Sequence, residues 1–323
     1  MRNMPFCMRV LLLLIAVSGV ELSIHTQSAT AAPTVTATIS VGSYPSGVGV
    51  NSSTNRIYVA NAGNNTVSVI DGATNTVTST ISVGSLANYV GVNSSTNRIY
   101  VSNYHSGTVS VIDGATNTVI STISIGGYES AAGVGVNSST NRIYVANVTS
   151  GTVSVIDGAT NTVISTISVG NNPVGVGVNS TTNRIYVANG ISNTVSVIDG
   201  ATNTVLSTIS VGSWPYGVGV NSSTNRIYVS KFYGGNAVSV IDGATNTVLS
   251  TISVGSDPVG VGVNASTNRI YVANTTSGTV SVIDGATDTV ISTVTVGSGS
   301  QNVGVNSSTN RIYVANYNGN TVS

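Results

Sequence analysis

The residues able to do chemistry in this chain are few, and most of them recur. An arginine returns at Arg56, Arg98, Arg142, Arg184, Arg226, Arg269 and Arg311, at spacings of 42, 44, 42, 42, 43 and 42 residues, each time within Asn-Arg-Ile-Tyr-Val. An aspartate follows at Asp71, Asp113, Asp157, Asp199, Asp242 and Asp284, each opening a turn that continues Gly-Ala-Thr. A carboxylate at that place can accept backbone N–H bonds of its own turn, and a guanidinium can pair with it or cap carbonyls. One carboxylate per turn is thin coordination for calcium, so these aspartates read as structural turn residues and no metal site is expected.

The non-periodic chemistry is sparser still. After residue 31 the chain holds one histidine, His105, one lysine, Lys231, one glutamate, Glu129, and no cysteine. An acid/base pair would have to be assembled from His105, Glu129, Asp257 and their neighbours, which fall in different repeats. A lone loop histidine usually faces solvent, and none of the many serines stands in a nucleophile elbow. A non-catalytic protein without a cofactor is therefore expected.

The elements that must position these residues are strands. Only 6% of residues are charged and 5% aromatic, while Val, Thr, Gly, Asn and Ser dominate, a strand-and-turn composition rather than a helical one. Residues 1–31 read as a signal peptide: Arg2 and Arg9 form the basic region, Val10 to Val20 the apolar one, and Ala29-Thr30-Ala31 the cleavage site. The alternative is a retained anchor, because Glu21 to Gln27 make a long polar stretch before the cut. Cleavage would remove the one cysteine, Cys7, and no second apolar segment follows, so no membrane insertion is expected of the mature chain. Removing Arg2, Arg9 and Glu21 from 10 basic and 10 acidic residues leaves a net charge of −1, which supplies no field for nucleic acid.

Each repeat resolves into four strands. In the first copy these are Gly47 to Asn51, Arg56 to Asn61, Thr66 to Ile70 and Thr76 to Val83, and the turn Asp71 to Asn75 is expected to use its Gly72 for positive φ. Alternating Gly and Val suits an inner strand near an axis, strands apolar on both faces suit burial between sheets, and strict alternation in the fourth suits a half-buried outer strand. Thr34 to Val41 matches a fourth strand lacking its first three, and Gly304 to Ser323 supplies the complement. The chain is thus predicted to be all-β: a seven-bladed β-propeller of four-stranded antiparallel blades over residues 32–323, its last blade closed by the N-terminal strand. The alternative is a fragment whose gene continues beyond Ser323 into more repeats or an anchoring domain.

The signature Tyr58-Val59-Ala60-Asn61, followed by Val69-Ile70-Asp71 and Thr80-Ile81-Ser82-Val83-Gly84, resembles the YVTN-type β-propeller repeats of bacterial and archaeal surface-layer and exported proteins. Alanine in place of the family's threonine is a departure. The resemblance implies a seven-bladed propeller at the cell envelope, secreted, periplasmic or surface-bound, and does not fix an activity.

Alternate connections of such a blade share a face. The Asn-Ser-Ser-Thr-Asn and Asp-Gly-Ala-Thr-Asn turns make one face monotonous, while variation gathers on the other. Tyr44, Tyr104, His105, Tyr128, Trp214, Tyr216, Phe232, Tyr233 and Tyr317 fall in the variable segments there. Rings of this kind are favoured at sites for sugars and proteins, which makes these nine residues the candidate binding set. The competing reading is that they cap the ends of the cores between blades. A monomeric binding or scaffold module with a protein or envelope-polysaccharide partner is expected, and the alternative is a lactonase-like propeller hydrolase or lyase.

Overall fold

The computed structural model describes residues 32–128 and 130–323; the expected leader with Cys7, and Glu129, lie outside the described residues. Six four-stranded antiparallel sheets follow one another along residues 45–82, 87–124, 131–168, 173–210, 215–253 and 258–295. We call these blades one to six. The seventh combines Ser300–Asn306, Arg311–Asn316 and Thr321–Val322 with Ile39–Ser40, where Ile39 pairs with Val322 and Ser40 with Thr321. The chain is a seven-bladed β-propeller closed by its N-terminal strand. Of the Thr34 to Val41 stretch only Ile39–Ser40 joins the ladder, while Ala37 and Val41 still pack beside Ile39.

The ring closes because Gly and Val alternate in the innermost strands. A Cβ on Gly177 would lie 2.6 Å from Val218 Cγ1 and 2.9 Å from Val220 Cγ2 of the next blade. The same glycine–valine seat recurs around the ring, ending with Gly304 against Val48 and Val50 of blade one. Outside this hub, seven apolar clusters among the described residues each straddle two neighbouring blades. The repeated tyrosine fills them: Tyr58, Tyr100, Tyr144, Tyr186 and Tyr228 are fully buried. Truncating one to alanine removes about 3–5 kcal/mol.

Local details differ from the sequence expectation in four places. The first strand begins at Pro45, two residues earlier than expected, so Tyr216 lies inside the first strand Pro215–Asn221 of blade five rather than in the loop before it. The third strand runs to Asp71 and the fourth stops at Ser82. The fourth strand does not alternate strictly. Val69 pairs with Ser79 but Ile70 with Val77, so Thr78 is a bulge residue; Val77 turns outward and only Ile81 of Thr76–Ser82 is buried. In the hairpin it is Asn75, at φ 56°, that takes the left-handed conformation, whereas Gly72 is needed because a Cβ there would run into Asn55 Oδ1.

Candidate functional site

The two faces of the disc are built by different rules. On the turn face, which carries the connections from strand one to two and from three to four, side chains tie each blade to the next. Asn51 donates from Nδ2 to Asn97 Oδ1, and the pattern continues through Asn93 to Asn141, Asn137 to Asn183, Asn179 to Asn225, Asn221 to Asn268 and Asn264 to Asn310. Asn306 closes the circle on Asn55, all seven bonds being 2.7–2.8 Å long. Each donor asparagine is fully buried and its Oδ1 accepts turn N–H groups, as Asn137 does from Ser139 and Thr140. The acceptors sit at φ 52–53°, a conformation Asn tolerates well.

The periodic charges belong to the same face. Arg98 pairs with Asp113, Arg142 with Asp157, Arg184 with Asp199 at 2.6 Å and Arg269 with Asp284 at 2.8 Å. Arg226 instead crosses to Asp288 of the next blade at 3.0 Å, and Arg56 and Arg311 donate to the carbonyls of Gly114 and Gly72, also across a blade boundary. Asp71, Asp113, Asp157, Asp199, Asp242 and Asp284 each accept a bond from the N–H two residues on, so all six act as turn residues. Arg98 and the turn N–H groups hold Asp113 below the usual carboxylate value, Arg142 does the same for Asp157, and for Asp199 the Ala201 N–H leads and Arg184 follows. Beneath them, burial raises the hydroxyl pKa of Tyr100, Tyr144 and Tyr186, and pushes Tyr228 up to about 12.

On the loop face the segment before each first strand is bonded to the segment after the second strand. Ala62 N–H donates to Tyr44 C=O, Gly190 to Asn172, Phe232 to Trp214, Thr275 to Asp257 and Tyr317 to Gly299. In six blades the residue supplying that carbonyl is left-handed: Tyr44 at φ 54°, Leu86 at 54°, Asn172 at 55°, Trp214 at 47°, Asp257 at 52° and Gly299 at 71°. Asn, Asp and Gly take this conformation readily, but a bulky side chain costs about 1–2 kcal/mol. Tyr44 and Trp214 are held there from both ends, because Asn320 Oδ1 accepts the Tyr44 N–H and Asn193 Oδ1 the Trp214 N–H, each at 2.9 Å. Tyr233, at φ 47°, is a third strained ring.

The predicted ring residues form three groups. Tyr44 stacks on Tyr317 with centroids 4.9 Å apart; His105 stacks on Tyr128 at 5.2 Å and tilts toward Tyr104 at 5.8 Å. Tyr216, Phe232, Tyr233 and Trp214 form a chain of ring contacts, 5.4, 4.1 and 5.3 Å. Tyr128, Tyr233 and Tyr44 are 69%, 64% and 49% exposed, so these three do not cap a core.

Tyr216 behaves differently. Burial raises its hydroxyl pKa, and that of Tyr89 in blade two well above its usual range, with Tyr216 adding to the rise. Below them lies a channel lined by first-strand Gly and Val residues, with cavities of about 140 Å³ and 290 Å³. Tyr89, a further ring of the variable segments, was not in the candidate set, and nothing in its own repeat signals a partner three blades away. Lys231, the one lysine of the sequence, was also not singled out, although aligning the repeats puts it where the other blades have asparagine. His105 belongs to blade two and Asp257 leads into blade six, where it accepts from Thr276 Oγ1 at 2.7 Å; the structure does not bring them together as a pair. Among the described residues, no three His, Cys, Asp or Glu side chains gather as a metal site, and no helix is long and apolar enough to cross a membrane.

An NHL repeat model matches residues 43–70, a stretch within blade one. Among solved structures, Kuenenia stuttgartiensis hydrazine synthase is similar, with a TM-score of 0.79 and 18% sequence identity over 94% of this chain and 98% of that one. At that identity the likeness is one of fold. No protein among the curated sequences matches. Together with the seven blades, these findings place the chain among the propeller repeat proteins.

Proposed function

We propose that this chain is a non-catalytic binding or scaffold module outside the cell, secreted, periplasmic or surface-bound, and that its loop-face rings are the recognition surface. The observation that carries the reading is the left-handed backbone of Tyr44 and Trp214. Equivalent positions in other blades hold Leu86, a bulky side chain in the same left-handed conformation, and Asn172, Asp257 and Gly299, which fit without strain. Large rings kept in a conformation they disfavour, clamped at both backbone ends, point to selection for display rather than for stability. The Tyr58-Val59-Ala60-Asn61 signature supports assignment to the YVTN-type envelope propellers, and residues 1–31 support export. The preferred partner is an envelope polysaccharide, since exposed rings set side by side offer flat apolar faces to sugar rings. The protein acts as a monomer, and the lactonase-like alternative gains nothing from His105 and Asp257 in their separate blades.

A glycan and envelope-polymer array tests this. Trp214→Ala with Tyr233→Ala is expected to weaken the strongest interaction at least about tenfold with the fold intact. Undiminished binding by the double variant overturns the surface. Lactone hydrolysis that disappears in His105→Ala overturns the non-catalytic reading.

A further inference from the structure

Blade five departs from the repeat at three positions that touch one another. In the other six blades the second strand ends in a buried asparagine whose Nδ2 donates to the hydroxyls five and seven residues on. Asn61, for example, donates to Thr66 at 3.1 Å and Ser68 at 3.0 Å. In blade five that asparagine is Lys231, and the first acceptor has become Ala237. Ser239, the second acceptor's counterpart, donates instead to Val211 C=O at 3.1 Å. The linking glycine has moved as well. Gly42, Gly84, Gly170, Gly255 and Gly297 lie directly against their asparagines, whereas Gly212 adopts φ 89° and faces the end of the lysine, Nζ lying 3.4 Å from its Cβ position.

These three changes make room for an ammonium group. It is partly buried and no carboxylate among the described residues pairs with it. Burial alone lowers its pKa. A partly desolvated cation with no counter-charge among the described residues is unfavourable and is relieved by an anion brought in by a ligand. The surroundings indicate what carries that anion. Phe232 follows Lys231 directly, Tyr233 lies 4.1 Å from it, and Trp214 meets Tyr233 edge-on at 5.3 Å. A peptide bound by strand addition would need a free strand edge for its backbone. The free edges are the fourth strands at the rim of the disc, whereas this corner offers rings and one ammonium.

We propose that Lys231 holds the carboxylate of an acidic sugar, a uronate unit whose ring lies against Trp214 and Tyr233. This assignment rests on the loop-face reading above and names the ligand class for one part of it.

The full chain titrated with an oligouronate and with its neutral methyl ester tests the assignment. The acid is expected to bind about tenfold more tightly than the ester, the difference a charge-assisted hydrogen bond makes. Lys231 is the one lysine in the sequence, so a ¹³C-lysine label reports it as a single ε-carbon resonance, which is expected to move with the acid and not with the ester. Lys231→Asn combined with Ala237→Thr restores the motif of the other blades and is expected to equalise the two affinities at unchanged Tm. Equal affinities in the unsubstituted protein, or a preference for the acid that survives the double substitution, overturn the Lys231 assignment alone. Absence of binding by both oligosaccharides overturns the sugar reading of the whole face. An acidic peptide that moves the lysine resonance as strongly as the oligouronate overturns the sugar assignment in favour of a peptide.

Discussion

Blade for blade, the turn face repeats one asparagine–asparagine bond around the ring, while on the loop face no two blades share the residue that precedes the first strand. On the turn face every Asn-Ser-Ser-Thr-Asn segment ends in the same inter-blade bond, from Asn51–Asn97 through to Asn306–Asn55. On the loop face one backbone bond recurs, and the side chains around it range from Asn172 to Trp214. An invariant side-chain bond between blades on one face, and a different residue at each blade on the other, set a joining side apart from the proposed recognition side. Rings at strained positions are tolerated because the Gly–Val hub, the clusters between blades and the turn-face bonds hold the disc without them.

The sharpest way to break this comparison is to injure each face and read both stability and binding. Asn137→Ala with Asn183→Ala removes a buried inter-blade bond and the partner of two turn N–H groups, and puts alanine at a positive φ. Urea unfolding is expected to show a loss of about 2–4 kcal/mol with polymer binding intact. Next in size is the reverse result for Trp214→Ala with Tyr233→Ala, about 2 kcal/mol of binding lost and stability within about 1 kcal/mol of the starting protein. A smaller effect sharpens the strain argument: Trp214→Asn, which copies the residue of blade four, is expected to raise stability by up to about 1 kcal/mol while weakening binding. A measured loss of stability would mean that the indole contributes more packing than its backbone costs.

The smallest effect separates the faces by pH. Asp113, Asp157 and Asp199 titrate below their unfolded value of 3.8. Their contribution is therefore present above pH 3.8 and is lost as the pH falls through the lower folded values. These pairs are partly exposed, so each is worth less than about 1 kcal/mol. Acid titration of stability is expected to flatten in the triple Asp→Asn variant and to be unaffected by the Trp214 and Tyr233 changes.

The seven-fold period, the strand assignments and the closure by the N-terminal strand were legible, because a 42-residue repeat of Gly-Val, Ile-Tyr-Val and Val-Ile-Asp patterns dictates periodicity and burial locally. Other features depend on which blades meet. The Asn51–Asn97 bond joins residues 46 apart, and Tyr216 affects the Tyr89 hydroxyl only through the folded ring. The exchange of roles between Gly72 and Asn75 was hidden because both residues suit turns, and only the approach of Asn55 decides between them. The bulge at Thr78 turns Val77 outward against an alternation that looked regular. Of the candidate site, the rings could be named from the sequence, but their grouping, their strained backbone and the amine of Lys231 beside them could not.

Amide hydrogen exchange of the full chain with the polymer selected on the array is the most direct measurement of the division between faces. Protection is expected in the loop segments around Trp214, Tyr233 and Tyr128, with the Asn-Ser-Ser-Thr-Asn and Asp-Gly-Ala-Thr-Asn turns exchanging equally in the free and bound states. Protection of those turns, with the loop-face segments unprotected, would contradict it.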